Sequence, residues 1–244
     1  MSKKLKLGVV GNPIEHSLSP FIHSRFSRNE NVNINYLAYK VSNDDFHIFI
    51  KEFFQDKEAR GLNITLPHKK RAAKIEGMVS QEAQYINAVN TIVNQDKMLH
   101  LFSTDGVGFI NDIENKKFNL KNKNILIIGA GAAVESILYR VAKAKPKKIT
   151  ITNRTPEKAD RLIRKFSNMT KIISEVDLEE PFDLVINGSS AGLTGEFLPE
   201  ENITTTTQTH FYDLNYSLTE TPFCKWANEK SENVYDGMGM LVYQ

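Results

Sequence analysis

The segment NILIIGAG, residues 124–131, decides the fold of the second half of this chain. Residues 125–128 are consecutively apolar, as expected of a strand that is buried on both faces of a parallel sheet. Gly129 then permits a tight turn, and Gly131 lets backbone amides approach a ligand at the start of the next helix. Strand, glycine turn and helix in this order direct the helix N-terminus at a pyrophosphate. The segment predicts a Rossmann-type dinucleotide site, with a plain turn as the alternative because Val134 replaces the third glycine.

The end of the following strand indicates which dinucleotide is preferred. A site that prefers NAD carries an acidic residue there, about 20 residues beyond the first glycine, to bind the ribose 2′-hydroxyl. This chain has Asn153-Arg154-Thr155 in that region, with Lys158 one turn later. A guanidinium pairs with the 2′-phosphate of NADP and has no such partner in NAD. We therefore expect NADP, the alternative being that Arg154 is an ordinary solvated side chain.

Strand-like and helix-like segments alternate on both sides of this unit, which predicts the α/β class with two domains. Strands are expected at 5–11, 36–41, 61–66, 125–128, 149–152, 171–173, 184–186 and 211–214. Helices are expected to open at Ser19-Pro20, after residues 42–45, at Pro67, after Gly131, at Pro156 and near Met238. We predict an N-terminal α/β substrate domain with a mainly parallel sheet over 1–104, and an NADP-binding Rossmann domain over 105–237. Residues 238–244 are expected to return to the substrate domain.

Composition limits the classes of function. The 244 residues carry a net charge of +2 without a long basic run, which gives no reason to expect nucleic-acid binding. A single cysteine, Cys224, fits a reducing compartment, and the six histidines show no metal-ligand spacing, so no metal site is expected. No apolar run reaches the about 18 residues that a membrane helix needs. These features predict a soluble, cytoplasmic protein that is a monomer or a homodimer.

Polar side chains cluster at three places in the first half of the chain. They are 17–19 after the first strand, 63–69 around the end of the third strand, and Asn90-Thr91 with Thr104-Asp105-Gly106. Ligands of open α/β sheets bind beyond the carboxyl ends of strands, where these clusters are expected to lie. Hydroxyls, carboxamides, an ammonium and a carboxylate are the groups that a small polyhydroxylated acid requires.

Eight motifs, in order from Gly11 to Gln244, resemble the shikimate dehydrogenase family. They are GNPIEHSLSPFIH, GLNITLPHKK, INAVNT, STDGVGF, GAGAA, ITNRT, YDLNYSLTETPF and DGMGMLVYQ. The resemblance implies an NADP-dependent, reversible reduction of 3-dehydroshikimate to shikimate, a step of aromatic amino-acid biosynthesis. Shikimate or 3-dehydroshikimate is then the small-molecule partner of the chain.

The resemblance also implies roles for individual residues. Lys69 is expected to be the catalytic acid and base, with Asp105 as its partner. The implied substrate-binding residues are Ser17, Ser19, Asn63, Thr65, Asn90, Asp105, Tyr216 and Gln244. The implied cofactor-binding residues are Gly129, Ala130, Gly131, Ala132, Ala133, Asn153, Arg154, Thr155, Lys158 and Gly237, and the loop 187–192 is expected near the nicotinamide.

Each of these residues has a structural alternative. Ser17 or Ser19 could cap a helix, and Asn63 could bond to buried backbone. Lys69 stands beside Lys70 and Arg71 and could belong to a solvated helix face. Asp105 before Gly106 could be a turn residue, and Tyr216 could be a packed aromatic with a wet hydroxyl.

The sequence departs from the family pattern in three places. Ser103 stands where asparagine is usual, and 132–134 replace a turn richer in glycine and serine. The family also continues beyond the position of Gln244 with helical sequence, whose loss would expose apolar surface. Two other functions stay open: a quinate/shikimate dehydrogenase that uses NAD, and a non-catalytic dinucleotide-binding regulator.

Overall fold

The structure is a computed structural model that describes residues 4–174, 180–189, 197 and 203–244. The chain divides into two compact units, Met1–Thr104 and Asp105–Gln244. Both are α/β, so the predicted fold class is confirmed. The functions assigned to the two units stay predictions.

The first unit is built on a six-stranded sheet. In chain order its elements are β1 (Leu5–Gly11), α1 (Ser19–Asn29), β2 (Ile34–Lys40), α2 (Phe46–Gln55), β3 (Ala59–Ile64), α3 (Lys69–Ala72), β4 (Met78–Val79), α4 (Gln81–Ile86), β5 (Thr91–Gln95) and β6 (Met98–Phe102). The strand order is β2-β1-β3-β5-β6-β4. β1 runs parallel to β2 and β3, and β4 runs parallel to β6, whereas β5 is antiparallel to both neighbours. The sheet is therefore mainly parallel, as the sequence predicts.

The core of the first unit lies between the sheet and α2. Phe46, Ile50 and Phe53 recur at helical spacing along α2 and are buried against Leu62 and Ile92 of the sheet. Phe49 and Phe54 pack against the same core and are half-buried, whereas Ile48 lies on the exposed face of α2. This packing fixes β3, and with it the polar residues that follow β3.

The start of α1 differs from the prediction that Ser19 caps it. Leu18 is the N-cap residue and Ser19 is the first helical residue, with Pro20 in the first turn. The Ser17 hydroxyl accepts a hydrogen bond from the Ser19 backbone N–H at 3.3 Å. The helix thus begins one residue earlier than expected, and Ser17 accepts the backbone N–H of its first residue.

The second unit is built on a six-stranded sheet in which every pairing is parallel. Its elements are α5 (Asp105–Asn115), β7 (Asn124–Ile128), α6 (Ala132–Lys143), β8 (Lys148–Thr152), α7 (Pro156–Phe166), β9 (Ile172–Ile173), β10 (Leu184–Asn187), β11 (His210–Asp213), α8 (Pro222–Asn228), β12 (Val234–Tyr235) and α9 (Met238–Tyr243). The order β12-β11-β10-β7-β8-β9 reverses direction between β10 and β7. Ligands of doubly wound sheets bind beyond the strand ends at such a switch point.

Residues 238–244, for which the sequence analysis predicts a return to the first unit, are grouped with the second. There α9 packs on α5, because glycines let the two helices approach closely. A Cβ on Gly108 would lie 2.6 Å from the Met240 carbonyl oxygen, and a Cβ on Gly239 would overlap the Asp112 carboxylate. That buried carboxylate accepts a 2.7 Å hydrogen bond from the Tyr212 hydroxyl, which ties α5 to β11.

None of the helices in the described ranges has the length and apolar character that a bilayer-crossing segment requires.

Candidate active site

The predicted substrate residues of the first unit lie at the strand ends, or just beyond them, at one edge of its sheet. Ser17 and Ser19 follow β1, and Thr65 follows β3. Asn63 near the end of β3 pairs with Thr91 at the start of antiparallel β5, which places Asn90 at the same edge. The topology therefore brings together residues that are more than seventy positions apart in the chain.

Backbone hydrogen bonds and an ion pair hold the two loops that follow β1 and β3. The Thr65 N–H donates to the Val10 carbonyl at 2.9 Å, and the Asn12 N–H donates to the Leu66 carbonyl at 2.9 Å. On the β1 loop, Glu15 pairs with Lys40 at 2.6 Å. The hydrogen bond from Lys40 lowers the pKa of Glu15 to about 2. This ion pair is exposed on both sides, so the backbone hydrogen bonds are the main contacts between the two loops.

A continuous set of side-chain hydrogen bonds crosses this edge of the sheet. The Tyr36 hydroxyl donates to Asn63 Oδ1 at 2.8 Å, and Asn63 Nδ2 donates to Thr91 Oγ1 at 3.3 Å. Thr91 Oγ1 in turn donates to Asn90 Oδ1 at 3.1 Å. The same Asn90 oxygen accepts from the Thr104 N–H at 2.8 Å and the Thr104 hydroxyl at 3.1 Å. The described contacts of the Asn63 side chain are to other side chains, which disfavours the alternative that it satisfies buried backbone.

Lys69 is placed by the short helix α3. It is the first residue of α3 and is half-buried, and its carbonyl accepts a 3.0 Å hydrogen bond from the Val89 N–H. His68, the preceding residue, is fully buried, with Nε2 2.9 Å from the Val41 carbonyl and its ring stacked on Phe46. Neighbouring Lys70 is exposed. Lys69 thus differs from a solvated surface lysine in both its burial and the fixation of its backbone.

In the second unit, two of the predicted residues lie at the start of α5 and directly after α9. Asp105 is the first residue of α5 and is 3% exposed. A Cβ built on Gly108, one turn along the same helix, would lie 2.9 Å from Gln244 Cγ. The packing of α9 on α5 therefore places Gln244 within one helical turn of Asp105. The turn alternative for Asp105 is wrong, because the residue begins a helix of 11 residues.

Tyr216 and Gly237 lie on neighbouring loops of the second unit. Tyr216 follows β11 and is 36% exposed, and partial burial raises the pKa of its phenol. The Gly237 N–H donates to the Asn215 carbonyl at 2.9 Å, and a Cβ at Gly237 would lie 2.5 Å from the Leu214 carbonyl oxygen. Only glycine allows this close approach of the two loops.

The glycine turn after β7 has the shape that a dinucleotide requires. Gly129 has φ +109°, and a Cβ there would lie 2.8 Å from the Gly188 carbonyl carbon. Among the described residues, a Cβ on Gly131 would meet only the Gly188 carbonyl oxygen, at an ordinary contact distance of 3.9 Å, so none of them crowds this N-cap residue. Ala132 and Ala133 are exposed, and their backbone N–H groups belong to the first helical turn, which lacks intrahelical partners. An anion fits at this helix start.

The second part of the predicted cofactor site follows β8. Asn153 joins it to the glycine turn, because its Oδ1 accepts from the Ala130 N–H at 3.1 Å and its Nδ2 donates to the Thr155 carbonyl at 2.8 Å. Arg154, Thr155 and Lys158 are exposed. Within the described ranges the Arg154 guanidinium has no ion-pair partner. A dinucleotide carrying a 2′-phosphate therefore fits these residues.

A buried cluster that the sequence analysis does not identify supports the end of β10. Asp213 accepts hydrogen bonds from Asn187 at 2.9 Å and from the Thr221 hydroxyl at 2.7 Å. Burial raises the pKa of Asp213, and these hydrogen bonds oppose that rise. Asn187 and Ser189 belong to the loop expected near the nicotinamide, and residues 190–192 of that loop lie outside the described residues. The polar residues of this loop can be recognised in the sequence, but only the pairing of β10 with β11 brings Asn187 next to Asp213.

Sequence reasoning does not identify two further side chains near this site, His23 and Tyr36. Tyr36 sits in a strand of ordinary β pattern and His23 in a helix, so neither shows a local motif of its own. Their rings stack at 4.0 Å between centroids, beside Asn63. In the described part of the chain, no three His, Cys, Asp or Glu side chains converge in a way that could hold a metal ion.

Comparison with protein families agrees with this geometry. Residues 9–92 match the model of the shikimate dehydrogenase substrate binding domain, and residues 112–211 match the model described as shikimate / quinate 5-dehydrogenase. The NADP(+) shikimate dehydrogenase of Hahella chejuensis (strain KCTC 2396) is 38% identical over 240 residues, which cover 97% of this chain and 88% of the relative.

Two solved structures show the same fold. Shikimate 5-dehydrogenase from Thermus thermophilus, in complex with NADP(H) and shikimate, is 30% identical, with a TM-score of 0.86 over 98% of this chain and 89% of that one. Shikimate 5-dehydrogenase from Listeria monocytogenes, in complex with shikimate and NAD, is 25% identical, with a TM-score of 0.88 over 100% of this chain and 89% of that one. The motifs that run in order along the chain, the matched family models and these relatives lead to one conclusion: the chain belongs to the shikimate dehydrogenase family.

Proposed function

We propose that this chain catalyses the NADP-dependent, reversible reduction of 3-dehydroshikimate to shikimate, as its relatives' names describe for them. The observation that carries the proposal is the set of side-chain hydrogen bonds from Tyr36 to Thr104 at one edge of the first sheet. Such a site discriminates among polyhydroxylated acids, because an analogue that lacks a hydroxyl leaves a polar group of the protein unpaired.

Lys69 is the proposed general acid. Bound NADPH would supply the hydride for the substrate carbonyl carbon. The carbonyl oxygen then gains negative charge, which the Lys69 ammonium stabilises before it donates its proton. In the reverse direction the neutral amine removes the proton from the shikimate hydroxyl. Asp105 is proposed as the second residue of this acid–base pair.

The remaining substrate residues bind and orient. We assign the substrate carboxylate to the hydroxyls of Ser17 and Ser19, and the ring hydroxyls to Thr65, Asn90 and Asp105. Asn63, Tyr216 and Gln244 are proposed as further substrate contacts. Hydroxyl and carboxamide groups donate and accept hydrogen bonds, so this set suits a substrate with several hydroxyls.

NADP is proposed as the cofactor because of the residues that follow β8. Arg154 is exposed and, within the described ranges, free of an ion pair, so its guanidinium is available for a 2′-phosphate. Lys158 adds a second cation one turn along. Gly129, Ala130, Gly131, Ala132 and Ala133 would hold the pyrophosphate at the start of α6, with Asn153 and Thr155 shaping the adjoining turn and Gly237 lying toward the nicotinamide.

A second candidate is the broader enzyme that also accepts quinate or NAD. The family description includes quinate, and the Listeria monocytogenes relative was solved with NAD. Arg154 favours NADP, whereas no described residue excludes quinate. The cytoplasmic location, the monomeric or homodimeric state and the lack of nucleic-acid binding stay predictions.

The test is an assay of cofactor reduction, followed at the NADPH absorbance, with NADP or NAD and with shikimate or quinate in all four combinations. Turnover with NADP and shikimate alone would support the proposal as stated. Turnover with quinate or NAD would favour the assignment as the broader enzyme. Binding of NADP without turnover of either acid would favour the non-catalytic regulator.

A further inference from the structure

Tyr36 stands at one end of the polar network of the first unit. It lies on the edge strand β2, opposite Leu7 of β1, and Leu7 in turn lies opposite Gly61 of β3. The Tyr36 phenol extends across β1 to Asn63, which it reaches at 2.8 Å. Its ring is held from one side by His23, whose imidazole stacks on it nearly in parallel, at an interplanar angle of 10°.

The direction of each hydrogen bond around Tyr36 is fixed. Asn63 Nδ2 donates to Thr91, so Asn63 Oδ1 is the atom that accepts from the Tyr36 hydroxyl. Burial raises the pKa of Tyr36, and the nearby Ser19 hydroxyl opposes the rise, as a donor to the phenol oxygen does.

His23 lies beside the same asparagine. Burial lowers the pKa of His23, and hydrogen bonding with Asn63 opposes that change. The Tyr36 hydroxyl donates to Asn63 Oδ1 and Asn63 Nδ2 donates to Thr91, so these two hydrogen bonds hold the carboxamide.

We propose that Tyr36, with His23 stacked on it, is a positioning residue that sets the geometry of Ser19 and Asn63 for the substrate. The inference rests on the proposed function, because Ser19 and Asn63 are substrate residues only in that function. A substrate carboxylate can only accept hydrogen bonds, so Ser19 turns its proton from Tyr36 to the carboxylate when substrate binds. Tyr36 then keeps its bond to Asn63 and holds the carboxamide in place.

The experiment compares Tyr36→Phe with Tyr39→Phe, a matched control on the same strand. Tyr39 packs against Phe49 and Phe53 on the core side of β2, away from the polar network. We expect Tyr36→Phe to raise the KM for shikimate about 3- to 10-fold, the effect of a lost hydrogen bond, with kcat and the KM for NADP within about twofold. Tyr39→Phe is expected to change none of the three constants.

A variant cycle with Ser19→Ala and Asn63→Ala shows whether Tyr36 acts through these residues. In the background that lacks both side chains, Tyr36→Phe should no longer raise the KM for shikimate, because residues that act as a unit are not additive. An undiminished effect in that background would overturn the proposal, as would equal effects on the KM for shikimate and for NADP. His23→Phe, which keeps an aromatic ring and loses the hydrogen bonding with Asn63, should give a smaller rise than Tyr36→Phe.

Wild-type turnover distinguishes this inference from the proposed function. Turnover of shikimate by the wild type, with no change in Tyr36→Phe, would contradict the inference alone. If the wild type binds shikimate without turnover, calorimetric dissociation constants replace KM in the same comparison. A wild type that neither turns over nor binds shikimate would overturn both the function and the inference.

Discussion

The candidate site of the first unit consists mainly of side chains, whereas that of the second unit consists mainly of backbone. In the first unit, the substrate edge consists of side chains, and Tyr36, Asn63, Thr91 and Asn90 hold one another by hydrogen bonds. In the second unit, the dinucleotide edge consists of backbone, and Gly129 and Gly188 let two strand ends approach each other. A substrate with several hydroxyls requires specific donors and acceptors, whereas a pyrophosphate requires free amides and space.

This difference predicts which property a substitution in each site should change. Removal of a side chain in the first unit should change the chemistry or affinity for the substrate and leave the cofactor site intact. Addition of a methyl group in the second unit should occupy space that the fold itself needs. The four predictions that follow separate these outcomes, and they are ordered by the size of the effect.

Lys69→Ala should have the largest effect, because it removes the proposed acid–base group. We expect kcat to fall by about 10² to 10⁴-fold, the usual contribution of such a group. The dissociation constant for NADP, measured by protein fluorescence or calorimetry, should stay within about twofold, since Lys69 belongs to the first unit. Lys70→Ala, at the exposed neighbour, is the matched control and should retain wild-type turnover. Wild-type kcat in Lys69→Ala would contradict the catalytic assignment.

Gly129→Ala should destabilise the second unit by about 2 to 4 kcal/mol, from backbone strain at φ +109° and from contact with backbone atoms of Gly188 and Ser189. Gly188→Ala should also be destabilising, because its Cβ would overlap a Val134 methyl group. The two variants are expected to respond differently to a second substitution at Val134. Val134→Ala should restore much of the free energy of unfolding in Gly188→Ala and little in Gly129→Ala. Denaturant unfolding measures all of these, and equal rescue would show that side-chain overlap, and not strain, limits Gly129.

How much the sequence predicts also differs between the units. β7, the glycine turn and the start of α7 at Pro156 are predicted correctly, because apolar runs, glycine and proline act locally. β5 and β6 are missed, because their hairpin turns through Asp96 and Lys97 at positive φ without the glycine or asparagine that usually marks such a turn.

Helix α5 is missed for a related reason. It contains Gly106 and Gly108, residues that disfavour helices, and Gly108 is required only because α9 packs against it. Tyr36 shows the same limit at the site, since its role depends on the register of three strands. Sequence reasoning thus predicts local turns and proposes residues for the chemistry, while contacts set by tertiary packing become visible only in the folded chain.

Arg154→Ala tests whether the second unit depends on any side chain for its cofactor choice. We expect the dissociation constant for NADP to rise about tenfold, from the loss of one guanidinium–phosphate pair, and that for NAD to change less than about twofold. Thr155→Ala, at the adjoining exposed residue, is the control. Equal weakening of NADP and NAD in Arg154→Ala would mean that this side chain does not contact the 2′-phosphate.

The smallest effect concerns buried polar atoms, of which each unit has an example. Within the described residues, His68 Nδ1 in the first unit and Thr150 Oγ1 in the second have no hydrogen-bond partner. Burial lowers the pKa of His68, and nearby Arg71 lowers it further, against the hydrogen bond with Val41. The folded chain therefore resists a proton that the unfolded chain takes up below about pH 6.5.

Stability should consequently be full above the unfolded pKa and decline as the pH falls through it toward the lower folded pKa. His68→Phe, which keeps a ring against Phe46, should make the decline between about pH 7.5 and about pH 5.5 shallower without removing it, because burial also lowers the pKa of His23 and His210. Thr150→Val removes an unpaired hydroxyl that does not titrate, so it should raise the free energy of unfolding by about 1 kcal/mol equally at both pH values. Urea unfolding at the two pH values measures both variants. A decline as steep in His68→Phe as in the wild type would assign the acid sensitivity to the other histidines.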